Sequence, residues 1–208
     1  MKDKLDNVKV LEQNTIKINN IYIDPYRIKE DTHDAEMVFI THSHYDHLSL
    51  EDLKKIINDD TIVIAPEDCG DKLSELFSDD KIFIVEPNKK YKLFDVRFET
   101  VPMYNTGKEF HPLDNAWVGY VLYIDDVSYY IVGDSDMTEE VINTNCDVLF
   151  IPIGGTYTMD VDEAVFATKL IEPKIVIPTH YATIVGEVED GLRFKSLLPI
   201  DIECKLYK

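Results

Sequence analysis

Half of the chain's six histidines fall in one six-residue run, His42-Ser43-His44-Tyr45-Asp46-His47, together with a carboxylate. So dense a set of metal donors constrains what the surrounding chain can do. The residues before it, 37–41, are apolar and partly β-branched, which predicts a buried strand. Ser49 with Asp52 three residues on predicts a helix N-cap close to a capping box. Donors that leave a strand and enter a helix are held by two rigid elements while their tips occupy a loop, where a site is best pre-organised.

The same strand–loop–helix logic extends along the chain. Residues 8–11, 15–18 and 21–23 predict three short strands, with Asn19-Asn20 as a two-residue turn and Asp24-Pro25 as a stop. His33 lies among Asp31, Asp34 and Glu36 and reads as a surface histidine. A helix over 50–57 turns Leu50, Leu53, Ile56 and Ile57 to one side, and Asp68 is placed to cap a second helix carrying Leu73, Leu76 and Phe77. Strands are predicted at 61–65, 81–85, 91–93, 96–101, 148–151 and 175–177, with a hairpin of 117–124 and 129–132 across Asp125-Asp126. A short helix is predicted at 138–143, and Asp160 with Glu163 resembles a capping box opening another. Residues 103–115, with Gly107 and Pro112, form an irregular stretch long enough to suggest a functional loop. Strands first, then strands interleaved with helices, occur twice. That order predicts an α/β protein of two similar halves sharing one core.

Composition narrows the function. The 208 residues suffice for one large domain, and the net charge of −19 disfavours a phosphate-backbone partner such as nucleic acid. A small anionic substrate stays compatible, because a metal centre reverses the local potential. Cys69, Cys146 and Cys204 form no CxxC pair and read as idle thiols of a reducing cytoplasm. The first residues carry no apolar export signal, and no apolar run approaches the length of a membrane span, so a cytoplasmic protein without a membrane partner is expected. Oligomeric state is left open.

His42 and His44, two apart at a strand end, leave the backbone on the same side and can share one divalent cation. Asp46 and His47 turn away with the helix and can hold a second. Asp134 and His180 each follow a predicted strand in the same way, and a carboxylate such as Asp134 can give one oxygen to each metal. Imidazole and carboxylate without thiolate suit zinc, manganese or iron. The Gly154-Gly155 pair alone is weak evidence for phosphate binding.

The HxHxDH run with a later aspartate and a final histidine resembles the metallo-β-lactamase superfamily. Over nearly the whole chain the similarity is to a branch of small intracellular metal-dependent hydrolases that includes the ascorbate-phosphate lactonases. It is carried by Ile23-Asp24-Pro25, Thr41-His42-Ser43-His44-Tyr45-Asp46-His47, Gly133-Asp134-Ser135, Pro152-Ile153-Gly154-Gly155-Thr156-Tyr157-Thr158-Met159 and Pro178-Thr179-His180-Tyr181. The resemblance implies a four-layer αββα sandwich of two pseudo-equivalent halves, one domain over residues 1–208, with a binuclear metal centre at the sandwich edge. It implies His42 and His44 on the first metal, Asp46, His47 and His180 on the second, and Asp134 bridging. The chain departs from the pattern at the first metal's third histidine. Either Asn105 supplies a neutral oxygen, or His111 reaches in from the loop, or the position is open; His111 is preferred because imidazole is the better ligand. Gln13-Asn14-Thr15 also replaces a histidine found after glycine in many relatives, which leaves the role of that place open.

The expected chemistry is hydrolysis of a small ester, lactone or phosphoester by a metal-bound hydroxide, two divalent ions lowering the water's pKa. Asp46 and Asp134 are the catalytic carboxylates, Asp46 orienting the nucleophile or accepting its proton. Asn105, Thr156 and Tyr157 are candidates for the substrate pocket. The alternative is a metal-binding sensor or scaffold without turnover.

Overall fold

The computed structural model describes residues 5–207, and the chain divides between Glu86 and Pro87 into two compact units. The first carries β1 (Val8–Val10), β2 (Ile16–Ile18), β3 (Ile21–Ile23), β4 (Met37–Phe39), β5 (Ile62–Pro66) and β6 (Ile82–Val85), side by side in chain order. β1 to β3 pair antiparallel through tight turns, and β3 to β6 pair parallel. Parallel neighbours need a crossover, and α1 (Leu50–Ile56) supplies it between β4 and β5. A core of Val38, Ile40, Leu48, Leu53, Ile56 and Val63 forms where sheet and helix meet.

The second unit repeats the plan. β7 (Lys90–Leu93), β8 (Val96–Pro102), β9 (Val118–Ile124) and β10 (Val127–Ile131) form an antiparallel meander; β11 (Val148–Pro152), β12 (Ile175–Thr179) and β13 (Glu203–Cys204) add to it in parallel. Its helices are α3 (Glu139–Ile142), α4 (Val161–Ile171) and α5 (Val188–Leu197), the first-unit α2 (Gly70–Leu73) preceding them in the chain. Asp125 and Asp126 turn the β9–β10 hairpin with φ of 50° and 61°, the sign at both central residues that a right-twisted two-residue hairpin requires. A meander followed by parallel strands in both units is the sense in which the expected halves are alike. No helix among the described residues is long and apolar enough to cross a membrane.

Two local expectations change, and one helix has no counterpart in the sequence reading. Asp68 caps no helix: residues 67–69 form a 3-10 turn running into α2, with no side-chain cap at either, and Asp68 instead accepts from Ser43 Oγ at 2.7 Å. Ser49 caps α1 by accepting from the Asp52 amide, but Asp52 does not complete a capping box. Its carboxylate accepts from the backbone amides of Arg27 and Ile28, both at 2.9 Å, tying that loop to the helix. α5 was not expected, because only Gly191 and Phe194 of it are buried and its apolar pattern is weak. Gly191 is needed there, since a Cβ would lie 2.6 Å from the Tyr181 hydroxyl.

On β2 and β3, Asp34 accepts from Lys17 Nζ at 2.6 Å and from the Tyr22 hydroxyl at 2.7 Å. Burial pushes the Asp34 carboxyl up, but Lys17, Tyr22 and Thr32 outweigh it and bring it down to about 2. A folded value below the unfolded one stabilises the fold above about pH 4 and is lost as pH falls toward 2. Between pH 6 and pH 2.5 the urea midpoint of the native protein should therefore fall further than that of Asp34→Asn; equal falls would show that the carboxylate contributes nothing.

Candidate metal centre

In the first unit, the chain leaves β4 through buried Ile40 and Thr41 and turns at His44, whose carbonyl accepts from the amides of His47 and Leu48 at 3.0 and 2.8 Å. His42 and His47 are fully buried, Asp46 nearly so, and His44 half-buried. His42 Nε2 lies 3.0 Å from His44 Nδ1, and His47 Nε2 lies 3.6 Å from Asp46 Oδ2. His42 and His47 stack with ring centroids 4.0 Å apart and offer donor atoms within 4.8 Å of each other. Such separations match the edges of a coordination shell whose bonds are about 2.0–2.2 Å.

Which ring nitrogens face one another is decided by Asp24, whose side chain is wholly buried. Its carboxylate accepts from the Thr41 amide (2.8 Å), the Thr41 hydroxyl (2.7 Å), the Asn14 amide (2.8 Å) and His47 Nδ1 (2.8 Å). A proton on His47 Nδ1, donated to Asp24, leaves the lone pair on Nε2. Thr41 has a single hydroxyl proton, already given to Asp24. Toward His42 Nδ1, 3.0 Å away, it can therefore only accept, and His42 likewise presents its Nε2 lone pair. Gln13 Nε2 donates to Asp46 Oδ2 at 3.0 Å. The place left open by the sequence thus has a role: Gln13 and Asn14 hold the two carboxylates that serve the histidines.

In the second unit, Asp134 follows β10 and His180 follows β12, as expected. Asp134 Oδ2 stands 2.9 Å from His180 Nε2 and 3.5 Å from His111 Nε2, one carboxylate oxygen between two imidazoles. His111 comes from the irregular 103–115 stretch, and its Nδ1 meets the Asn105 amide nitrogen at 3.1 Å. Asn105 is therefore behind the His111 ring, on the edge away from Asp134. Its amide also donates to the Tyr157 carbonyl at 2.6 Å, and its own N–H donates to the His111 carbonyl at 2.8 Å. The Lys108 ammonium pins the loop further, paired with Asp136 and donating to the Thr158 carbonyl at 2.7 Å. Tyr157 packs edge-on against Phe110 at 4.7 Å between centroids, while Thr156 is exposed.

Gly154 explains the glycine pair without a phosphate, since a Cβ there would lie 2.3 Å from the His180 carbonyl oxygen. Four residues of these two donor sets and their supports take left-handed backbone: Gln13 (φ 54°), Asp24 (45°), His111 (57°) and His180 (54°). Sequence reasoning assigned no task to Asp24 or Thr41. The available signal was a carboxylate between Ile23 and Pro25, flanked by apolar strand, which has to find buried donors. The grouped His and Asp side chains supply nitrogen and oxygen donors without thiolate, a chemistry that fits divalent cations of the zinc, manganese or iron type.

Residues 9–180 match the family model described as a β-lactamase superfamily domain. UPF0173 metal-dependent hydrolases of Thermoplasma volcanium and Pyrococcus horikoshii are 31% and 29% identical to the chain, each over 86% of it, and the alignments span 83% and 81% of those proteins. A solved structure from Parabacteroides distasonis aligns with a TM-score of 0.81 at 26% identity, covering 96% of this chain and 91% of that one. The metallo hydrolase Igni18 of Ignicoccus hospitalis aligns at 0.74 and 21% identity, over 97% and 94%. The αββα class expected from the sequence agrees with these matches. On the family model and the identity to its curated members, the chain belongs to the β-lactamase superfamily, in the UPF0173 family of metal-dependent hydrolases.

Proposed function

We propose that residues 1–208 act as one cytoplasmic hydrolase domain that holds two divalent cations, zinc or manganese with iron as the further option. His42, His44 and His111 take the first, Asp46, His47 and His180 the second, and Asp134 both. The substrate is a small ester, lactone or phosphoester; a phosphorylated lactone is the narrower reading that the resemblance to ascorbate-phosphate lactonases supports. The reading is carried by one observation, the Asp24–Thr41 network that leaves His42 and His47 presenting Nε2 lone pairs.

When bound, the cations make a coordinated water acidic enough to ionise near neutral pH and polarise the substrate oxygen. Asp46, steadied by Gln13, orients the attacking water and takes its proton. Asn105 keeps the His111 ring in place and, with Tyr157 and Thr156, borders the substrate. Asp24 keeps the His47 proton on Nδ1, so that the Nε2 lone pair stays available.

Protein purified without chelator should contain about two divalent ions per chain and turn over part of a panel of esters, lactones and phosphodiesters, chelation abolishing and metal restoring the activity. Near-stoichiometric metal with no turnover on the panel would replace hydrolysis by the sensor or scaffold reading. A protein that binds no cation would overturn both.

A further inference from the structure

Across the first three strands, Lys9 is the direct partner of Lys17 and Lys17 of Tyr22, which puts all three on one face. Two ammonium groups directly opposite each other in an antiparallel pair repel. Lys17 is answered by Asp34 and sits 4.6 Å over the Tyr22 ring. Among the described residues, Lys9 meets no carboxylate within ion-pair distance.

A cavity of about 330 Å³ lies over this row, at the small end of ligand sites, which run from about 300 to 1,000 Å³. The loop that closes it adds Arg27 and Lys29. Four cationic side chains against the carboxylates of Glu12 and Glu30 line the cavity, in a chain whose net charge is −19. Lys29 is 3.7 Å from Glu12, whereas the Arg27 guanidinium lies over the Tyr26 ring and, among the described residues, meets no carboxylate within ion-pair distance. The loop is built rather than loose. Asp52 grips the Arg27 and Ile28 amides, and Lys55 Nζ donates to the Ile28 carbonyl at 2.7 Å. Arg27 itself is left-handed at φ 53°. The cavity shares no residue with the donor segment 42–47.

We propose that this cleft binds a small phosphate monoester. Such an ester carries about −1.5 to −2 charges at neutral pH, which suits several converging cations better than a single carboxylate does. Lys9 and Lys17 meet it as point charges from the sheet, and Arg27 offers a planar fork from the loop. Ile28 gives the ester's organic body an apolar contact. A bound phosphate would offset the Lys9–Lys17 repulsion.

The test is calorimetric titration of the full-length protein with AMP and with glucose 6-phosphate, using adenosine and glucose as uncharged controls. Saturable binding of at least one ester and none of the controls is expected. Lys9→Glu/Arg27→Glu should weaken binding by at least about tenfold, and Lys9→Ala alone by less. Lys9→Glu should leave the unliganded Tm unchanged or raised, because it places a carboxylate opposite Lys17. Ester affinity undiminished in the double variant would overturn the proposal, since the ester would then be held elsewhere, the metal centre included. Failure of both esters to bind would overturn it as well.

Discussion

Asp24→Ala is expected to destabilise the protein by about 3–5 kcal/mol, a large share of the roughly 5–15 kcal/mol that holds a domain folded. The loss comes from the donors left behind. The Thr41 amide and hydroxyl, the Asn14 amide and His47 Nδ1 all lose their acceptor in a pocket that water does not reach. Each buried donor without an acceptor costs about 1–3 kcal/mol, reduced here by whatever local relaxation the pocket allows. Asp24→Asn separates the two duties of the residue. Asparagine has the same shape and tolerates the left-handed backbone. Its amide nitrogen must replace one accepting oxygen, most simply the one facing the Thr41 amide, so a smaller loss of about 1–3 kcal/mol is expected. His47 loses its carboxylate partner, however, and metal affinity should drop about 10–100-fold. Urea unfolding with metal titration checks both, and an alanine variant as stable as the native protein would remove Asp24 from the account.

The second large effect is expected for Asp134→Ala, which should lose the metal-dependent activity and at least one bound ion. Asp134 is the carboxylate shared by His111 and His180, so its removal leaves two buried imidazoles with no anion between them. The loss of metal affinity should exceed the roughly 10–100-fold typical of residues that only support a ligand. Asn105→Ala supplies that lesser comparison, since it frees the back of the His111 ring and leaves all seven proposed donors in place. Elemental analysis of the two variants, with circular dichroism to confirm folding, gives the ranking. Equal metal content in native and Asp134→Ala protein would exclude the carboxylate as a ligand.

Much of this arrangement was readable from the chain because its donors obey one positional rule. His42, Asp134 and His180 each follow a strand whose apolar, β-branched pattern is plain, and the elements before them appear where periodicity put them. The supports were harder to read because their partners are far away in the chain. Asp24 meets Asn14, Thr41 and His47 at separations of 10, 17 and 23 residues, and by itself Asp-Pro after a strand looks like a stop. The competition between Asn105 and His111 could not be resolved by spacing, since both lie in a stretch without periodicity. There the loop's own hydrogen bonds, through Tyr157, Lys108 and Asp136, decide which side chain faces Asp134. α5 was hidden because few of its residues are buried, and its Gly191, which leaves room for Tyr181, looks like a helix breaker in one dimension.

The left-handed backbone at Gln13, Asp24, His111 and His180 limits how this protein could be re-engineered. Most L-residues pay about 1–2 kcal/mol in that conformation, and β-branched ones fare worst. Saturation libraries at those four codons, screened for folding alone, should therefore return chiefly glycine, asparagine or aspartate besides the native residue. Diversity aimed at new substrates belongs instead at Thr156, Tyr157 and Phe110, where the chain is exposed or half-buried and each replacement changes a side chain without asking the main chain to move.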